Sequence, residues 1–334
     1  MRTLPLLALL LCAPPALLAQ AAPPTEPPAL PAACAAILAK PYTVALDPAI
    51  KPDCDSTALY YGIGRDKSFV AARECALVER AQMADKDVSL FSGPGILSMV
   101  YANGEGMPRN LDLARRFVCE NKEASTAEME ARLALLDKIA AAPAQDAHFS
   151  LCTTASSGVS WGWCTNLQLR QNDEKRSLEL GAIYEKLSPE GVEAFKKLQN
   201  AEGVYEAARM DKEVDKNGLA QWAWMLQEQD RIRAQFVADL KLFATPDYSQ
   251  PFTLATVDAV LAKDYANLRA NSASLFRGTT LTLAGVDETQ AAWQRYRDAW
   301  QAYESVVNPS VSSEAVATQL SRERVTQLRK LSTP

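Results

Sequence analysis

The sequence predicts an all-α protein: helical hairpin repeats followed by antiparallel helical bundles, stapled by disulfides. Three observations carry that expectation. Apolar residues recur at three- and four-residue spacing, and strand-like alternation is scarce. One glycine-rich turn is written twice, 42 residues apart: Gly62–Arg73 reads "GIGRDKSFVAAR" and Gly104–Arg115 reads "GEGMPRNLDLAR". Six cysteines remain once an apolar leader is set aside. The chain has 334 residues, 48% of them apolar, which suffices for more than one core.

Residues 1–21 read as a signal peptide. Arg2 is the basic start, Leu4–Leu11 the apolar run, and Ala19 and Ala21 the small-residue pattern read by a signal peptidase. Cleavage is expected after Ala21. A lipid anchor on Cys12 would need small residues before it, and Leu9–Leu11 stand there instead. No later run has the length of a spanning helix. The expected location is therefore periplasmic or secreted. Residues 22–31, "APPTEPPALP", form an extended Pro/Ala-rich linker.

Cys34, Cys54, Cys75, Cys119, Cys152 and Cys164 form an even set in an exported chain, which reads as disulfides. Six cysteines allow about 15 pairings. Only Cys152–Cys164 is singled out by sequence, because "TTASSGVSWGW" between them reads as a pliable loop. A metal site is not expected: there is no CxxC, and His148 is the only histidine. No cofactor motif is present either.

Residues 32–140 form the first region. Leu97, Val100 and Tyr101 lie on a first helix, Gly104 and Gly106 turn the chain through positive φ, and Pro108 stiffens the connection. The next helix opens near Asn110 or Leu111 and lays Ala114 and Phe117 back on the first. The stretch "LSMVYANGEGMPRNLDLA" resembles the Sel-one-like repeat, a relative of the tetratricopeptide hairpin, through Leu97, Tyr101, Gly104, Gly106 and Ala114. Ser98 departs from that pattern, as do Leu59 and Ser68 in the first copy. The resemblance implies a protein-binding scaffold.

The second region divides into 150–245 and 250–334. Its strongest helix is "DETQAAWQRYRDAWQAYESVV", with Asp287 as expected N-cap and Gln290 completing a capping box. Trp293, Tyr296, Trp300 and Tyr303 make one aromatic stripe, read as a buried seam in preference to a sugar-stacking platform. Asp298 and Arg324 are expected to pair across helices. An eroded copy precedes it: Gln199 and Tyr205 match Gln290 and Tyr296 at a spacing of 91 residues, and Ser188-Pro189 opens its helix.

"QAAWQRYRDAW" followed by "RERVTQL" resembles the LprI-type lysozyme inhibitors, exported bacterial proteins. The matching residues are Gln290, Trp293, Tyr296, Arg297, Asp298, Trp300 and Arg324. The resemblance covers about 253–331 well and 164–240 poorly. It departs in one respect: no cysteine follows Cys164.

The formal charge of −5 argues against nucleic acid and suits a basic partner. No catalytic constellation stands out. A Cys152/His148 nucleophile would need a free thiol. The expected function is therefore non-catalytic: an envelope protein that binds another protein, with lysozyme inhibition as the concrete activity. The alternative is an adaptor that binds a protein or peptide through 32–140.

Overall fold

The computed structural model describes residues 30–42, 54–82, 89–141, 148–245 and 248–332. The leader, Cys12 and most of the linker lie outside these residues. Among the described residues there are twelve α-helices, one short 3-10 turn and no strand. The all-α expectation holds.

The first six helices are α1 (Ala32–Leu38), α2 (Ser56–Tyr61), α3 (Phe69–Ala81), α4 (Pro94–Asn103), α5 (Leu111–Glu120) and α6 (Thr126–Ala141). The turns α2–α3 and α4–α5 share one backbone design. Gly62, Gly64, Gly104 and Gly106 all have φ between 66° and 74°, where a side chain would be strained. The amide of Ser68 donates to the Leu59 carbonyl, and that of Asn110 to the Tyr101 carbonyl, each at 2.9 Å. Ser68 and Asn110 then cap their helices, accepting from Ala71 N and Leu113 N. Behind these turns lies the first core, which holds Leu97, Val100, Tyr101, Phe117, Met129 and Leu136.

All three disulfides belong to this part of the molecule. Cys34–Cys119 ties α1 to α5, Cys54–Cys75 ties the approach to α2 onto α3, and Cys152–Cys164 ties the 3-10 turn (Leu151–Thr154) to the next helix. The pairing singled out from sequence is present.

The remaining helices are longer: α7 (Gly158–Tyr184), α8 (Pro189–Lys212), α9 (Gln221–Phe243), α10 (Leu254–Leu275), α11 (Leu283–Val307) and α12 (Ser313–Leu331). The "SGVSWGW" stretch is not the loop expected from its composition. Ser157 caps α7 by accepting from Ser160 N, and Glu128 receives the amides of Ser156 and Ser157 at 2.8 Å. With those donors satisfied, helix begins at Gly158. Helix α7 spans both cores: Leu167 lies in the first, while Leu180 and Ile183 pack on the second.

The second core is pseudo-symmetric. Helices α7–α9 pair as α10–α12 do, and the middle helices α8 and α11 pack antiparallel on each other. Phe195 meets Tyr303 at one end, and Thr289 donates to the Ala208 carbonyl at the other. Near the crossing, Tyr205 stacks on Tyr296 with ring centroids 5.1 Å apart and an 18° interplanar angle. Stacking between the matched tyrosines places the pseudo-dyad between these helices.

Candidate functional site

The stripe residues Trp293, Tyr296, Trp300 and Tyr303 are each 5% exposed or less. Trp300 packs edge-on against Phe243 and tilted against Phe236. The stripe is the seam of the bundle and offers no ring to a ligand.

Two sequence expectations around this seam need correction. Asp287 is not the N-cap of α11. Thr282 is, its hydroxyl accepting from Gly285 N, so the helix opens one turn earlier. Asp287 instead accepts from Tyr265 Oη and Arg269 Nη1 of α10. Likewise Asp298 does not meet Arg324; it lies exposed on α11. Arg324 is fully buried and reaches Glu213 at the end of α8: Nη1 to Oε2 at 2.9 Å and Nη2 to Oε1 at 2.6 Å. Its Nε donates to Gln290 Oε1 at 2.9 Å. The partner comes from the other half of the pseudo-dyad, which helix periodicity within one half does not reveal. Arg297 lies over the Trp293 ring at 4.7 Å and bonds Asp258 Oδ1 and Ser321 Oγ, stitching α10 to α12.

Asp239 on α9 and Glu323 on α12 meet near the dyad. Gln235 Nε2 donates to both, at 2.9 and 3.0 Å, and Gln319 Nε2 donates to Glu323 at 2.7 Å. Burial raises both carboxyls; the charge of Asp239 raises Glu323 further, while the bonds from Gln235 and Glu323 partly offset the rise at Asp239.

In the first region, Tyr101 and Ala114 are buried where the hairpin closes. His148 Nε2 lies 3.4 Å from Glu105 Oε1 and 3.1 Å from Asn103 Nδ2. Glu105 also accepts from Tyr60, whose hydroxyl is pushed up by burial and by that bond. Cys152 is bonded to Cys164 and supplies no thiolate to this cluster.

The exposed apolar residues concentrate elsewhere, where α7 and α9 begin. Four of the six tryptophans meet there. Trp163 packs edge-on against Trp222 at 4.9 Å, and Trp161 against Trp224 at 6.4 Å. The close approach requires glycine. A Cβ on Gly162 would lie 2.3 Å from the Trp222 ring, and one on Gly158 would lie 2.5 Å from the Leu219 backbone. The inner pair is held against the Cys152–Cys164 side of the first core. The outer pair faces solvent: Trp161 and Trp224 are 37% and 38% exposed, Val159 44% and Leu219 79%. A cleft of about 440 Å³ runs beside Trp161, between Tyr61 of α2 and Asp230 of α9. The sequence signal was available: "WGW" and "QWAWM" both place tryptophan two residues apart at a helix start. The Ser- and Gly-rich composition around the first segment masks the match.

No family model, curated protein or solved structure matches the chain.

Proposed function

We propose that this chain is an exported, non-catalytic envelope protein that binds another protein, and that a lysozyme is the partner. One observation carries the reading: the face formed by Trp161, Trp224, Leu219 and Val159. Large side chains stay half in water there while an inner tryptophan pair and a disulfide hold them in place. Exposed aromatics on a rigid base are the composition of interface hot spots.

Three disulfides suit an oxidising compartment. A formal charge of −5, or −6 once Arg2 leaves with the leader, suits a basic partner. The resemblance of Gln290–Trp300 and Arg324 to LprI-type inhibitors selects lysozyme among basic proteins. In this reading those residues build the bundle, and the tryptophan face makes the contact.

The test is a lysozyme assay on residues 22–334, with Trp161→Ala and Trp224→Ala beside it. Saturable inhibition weakened at least tenfold by either change is the expected result. Absence of inhibition at micromolar excess would sink the lysozyme reading. A second reading, an adaptor working through residues 32–140, is favoured by the duplicated turns at Gly62–Gly64 and Gly104–Gly106. It predicts a partner whose capture is indifferent to the tryptophan changes.

A further inference from the structure

The pseudo-dyad sets Tyr205 beside Tyr296 and Asp239 beside Glu323, and it leaves one buried glutamate without the partner that its counterpart has. Asp239 and Glu323 face each other, each served by a glutamine four residues earlier, Gln235 and Gln319. This match sets the register of α9 against α12. The residue after Glu323 is Arg324; the residue after Asp239 is Leu240. The middle helices match at a spacing of 91 residues through Tyr205 and Tyr296, which equates Glu213 with Glu304.

In one half, Arg324 fills the space before Glu213 with a bidentate ion pair. In the other half the arginine is a leucine. Glu304 is 3% exposed, and among the described residues its carboxylate has no hydrogen-bond or ion-pair partner. It lines a cleft of about 740 Å³ whose walls include Ile183, Leu187, Leu240 and Val307. A buried carboxylate beside apolar walls is costly to leave unmatched.

We propose that this cleft binds a guanidinium carried on a short apolar stem, with Glu304 as its counter-ion. The Arg324–Glu213 pair is the internal template for the geometry, a planar donor fork set against a carboxylate. Leu240, Ile183 and Val307 would cover the stem, as Arg324's own methylenes are covered in the other half. The site stands independently of the tryptophan face and of lysozyme.

The charges around the cleft agree. From α7, Glu179 lines it; from the turn after α7, Lys186; from α9, Lys241; from α11, Glu304 and Tyr303. Lys241 is taken up by Glu179 at 3.0 Å. Lys186 is the one cation at the rim without an acid within salt-bridge range among the described residues. Burial pushes Glu304 up to about 7, so its charge, and with it the attraction for a cation, grows as pH rises past 7.

The experiment is calorimetric titration of residues 22–334 with n-butylguanidinium, with pentanoate and pentanol as controls of similar size. Binding at a single site is expected, strengthening from pH 6 to pH 8 about the titration of Glu304 near 7. Glu304→Gln should weaken it roughly ten- to a hundredfold, the usual share of a charge-assisted bond. Lys186→Ala, at an exposed position that leaves the fold intact, should tighten it. Leu240→Arg should abolish it by restoring the internal pair. An arginine blocked at both termini distinguishes the source: if it also binds, an arginine side chain of a protein is a competent ligand; if only butylguanidinium binds, the ligand is a free small cation. No binding of either guanidinium up to about 10 mM overturns the proposal. So do unchanged affinity in Glu304→Gln, or pentanoate binding that Lys186→Ala weakens.

Discussion

Glu213→Leu should be among the most damaging single changes in the C-terminal bundle. Its carboxylate is 1% exposed and accepts two bonds from Arg324, with Arg209 Nε also 3.4 Å away. Removing it strands Arg324, whose guanidinium is fully buried and keeps only Gln290 and a long contact to Gln327. A buried charge left unpaired costs about 3–5 kcal/mol. For a unit the size of α7–α12 that is a fall in Tm of roughly 6–20 °C. The companion variant replaces both partners, Glu213→Leu with Arg324→Leu, and removes the stranded charge. Arg209 retains Glu228 there. The double variant should therefore recover at least half of the loss, since apolar replacement of a whole buried pair is close to neutral. The assay is guanidinium unfolding followed by tryptophan fluorescence, which reports Trp293 and Trp300 in the seam. A loss under about 1 kcal/mol for Glu213→Leu, or a double variant as weak as the single, would refute this account of the seam.

Glu304→Gln should have the opposite sign at alkaline pH. Burial lifts the folded carboxyl to about 7 from 4.5, so ionising it costs stability as pH rises from 4.5 through 7; removing that cost gains up to about 3 kcal/mol at pH 8 and nothing at pH 4, measured by urea unfolding at both. Glu128→Gln should do the reverse in acid. Burial raises that carboxyl, but the amides of Ser157, Ser156 and Ser125 and the Ser160 hydroxyl outweigh it and hold it at about 2. Its stabilisation is present above 4.5 and disappears as pH falls to 2, so the variant should lose about 2 kcal/mol at pH 7 while its acid-unfolding curve flattens. Gly162→Ala drives a methyl to 2.3 Å from the Trp222 ring and should cost about 1–3 kcal/mol and shift tryptophan emission; unchanged stability would mean that the four-tryptophan contact is loose.

Much of this architecture was legible locally. The duplicated glycine turn, the Ser188-Pro189 helix start and the burial of the Trp293–Tyr303 stripe all follow from residues within a few turns of one another. They depend on φ, capping and helical period, which sequence displays directly. Pairings across the dyad did not. Arg324 has several acids at plausible spacing, and its choice of Glu213 over Asp298 depends on how α8 crosses α12. The tryptophan face was half legible. Its two Trp-x-Trp segments are plain in the sequence, but Ser- and Gly-rich composition argued for a loop. Only the anchoring of the Ser156 and Ser157 amides by the distant Glu128 shows why helix starts there.

The two halves are held together by different physics, and helix length explains the division. Helices α1 to α5 run from 6 to 13 residues. Helices this short are marginal alone. Two of the three disulfides fall among them, and Cys34–Cys119 spans 85 residues. On loop-entropy grounds that bridge alone restrains the unfolded chain by roughly 4–5 kcal/mol. Helices α7 to α12 run from 19 to 27 residues and carry an aromatic seam and several buried ion pairs. They contain only Cys164, at the end of α7 that belongs to the first core. The third disulfide also packs on the first core, where it fixes the 3-10 turn to the start of α7, beside the inner Trp163–Trp222 pair. Reduction should accordingly loosen α1–α6 and the tryptophan face while the α8–α11 seam persists. Amide hydrogen exchange before and after reduction would show it. Protection lost evenly across α8 and α11 would mean that the long bundle depends on the disulfide-bonded half after all.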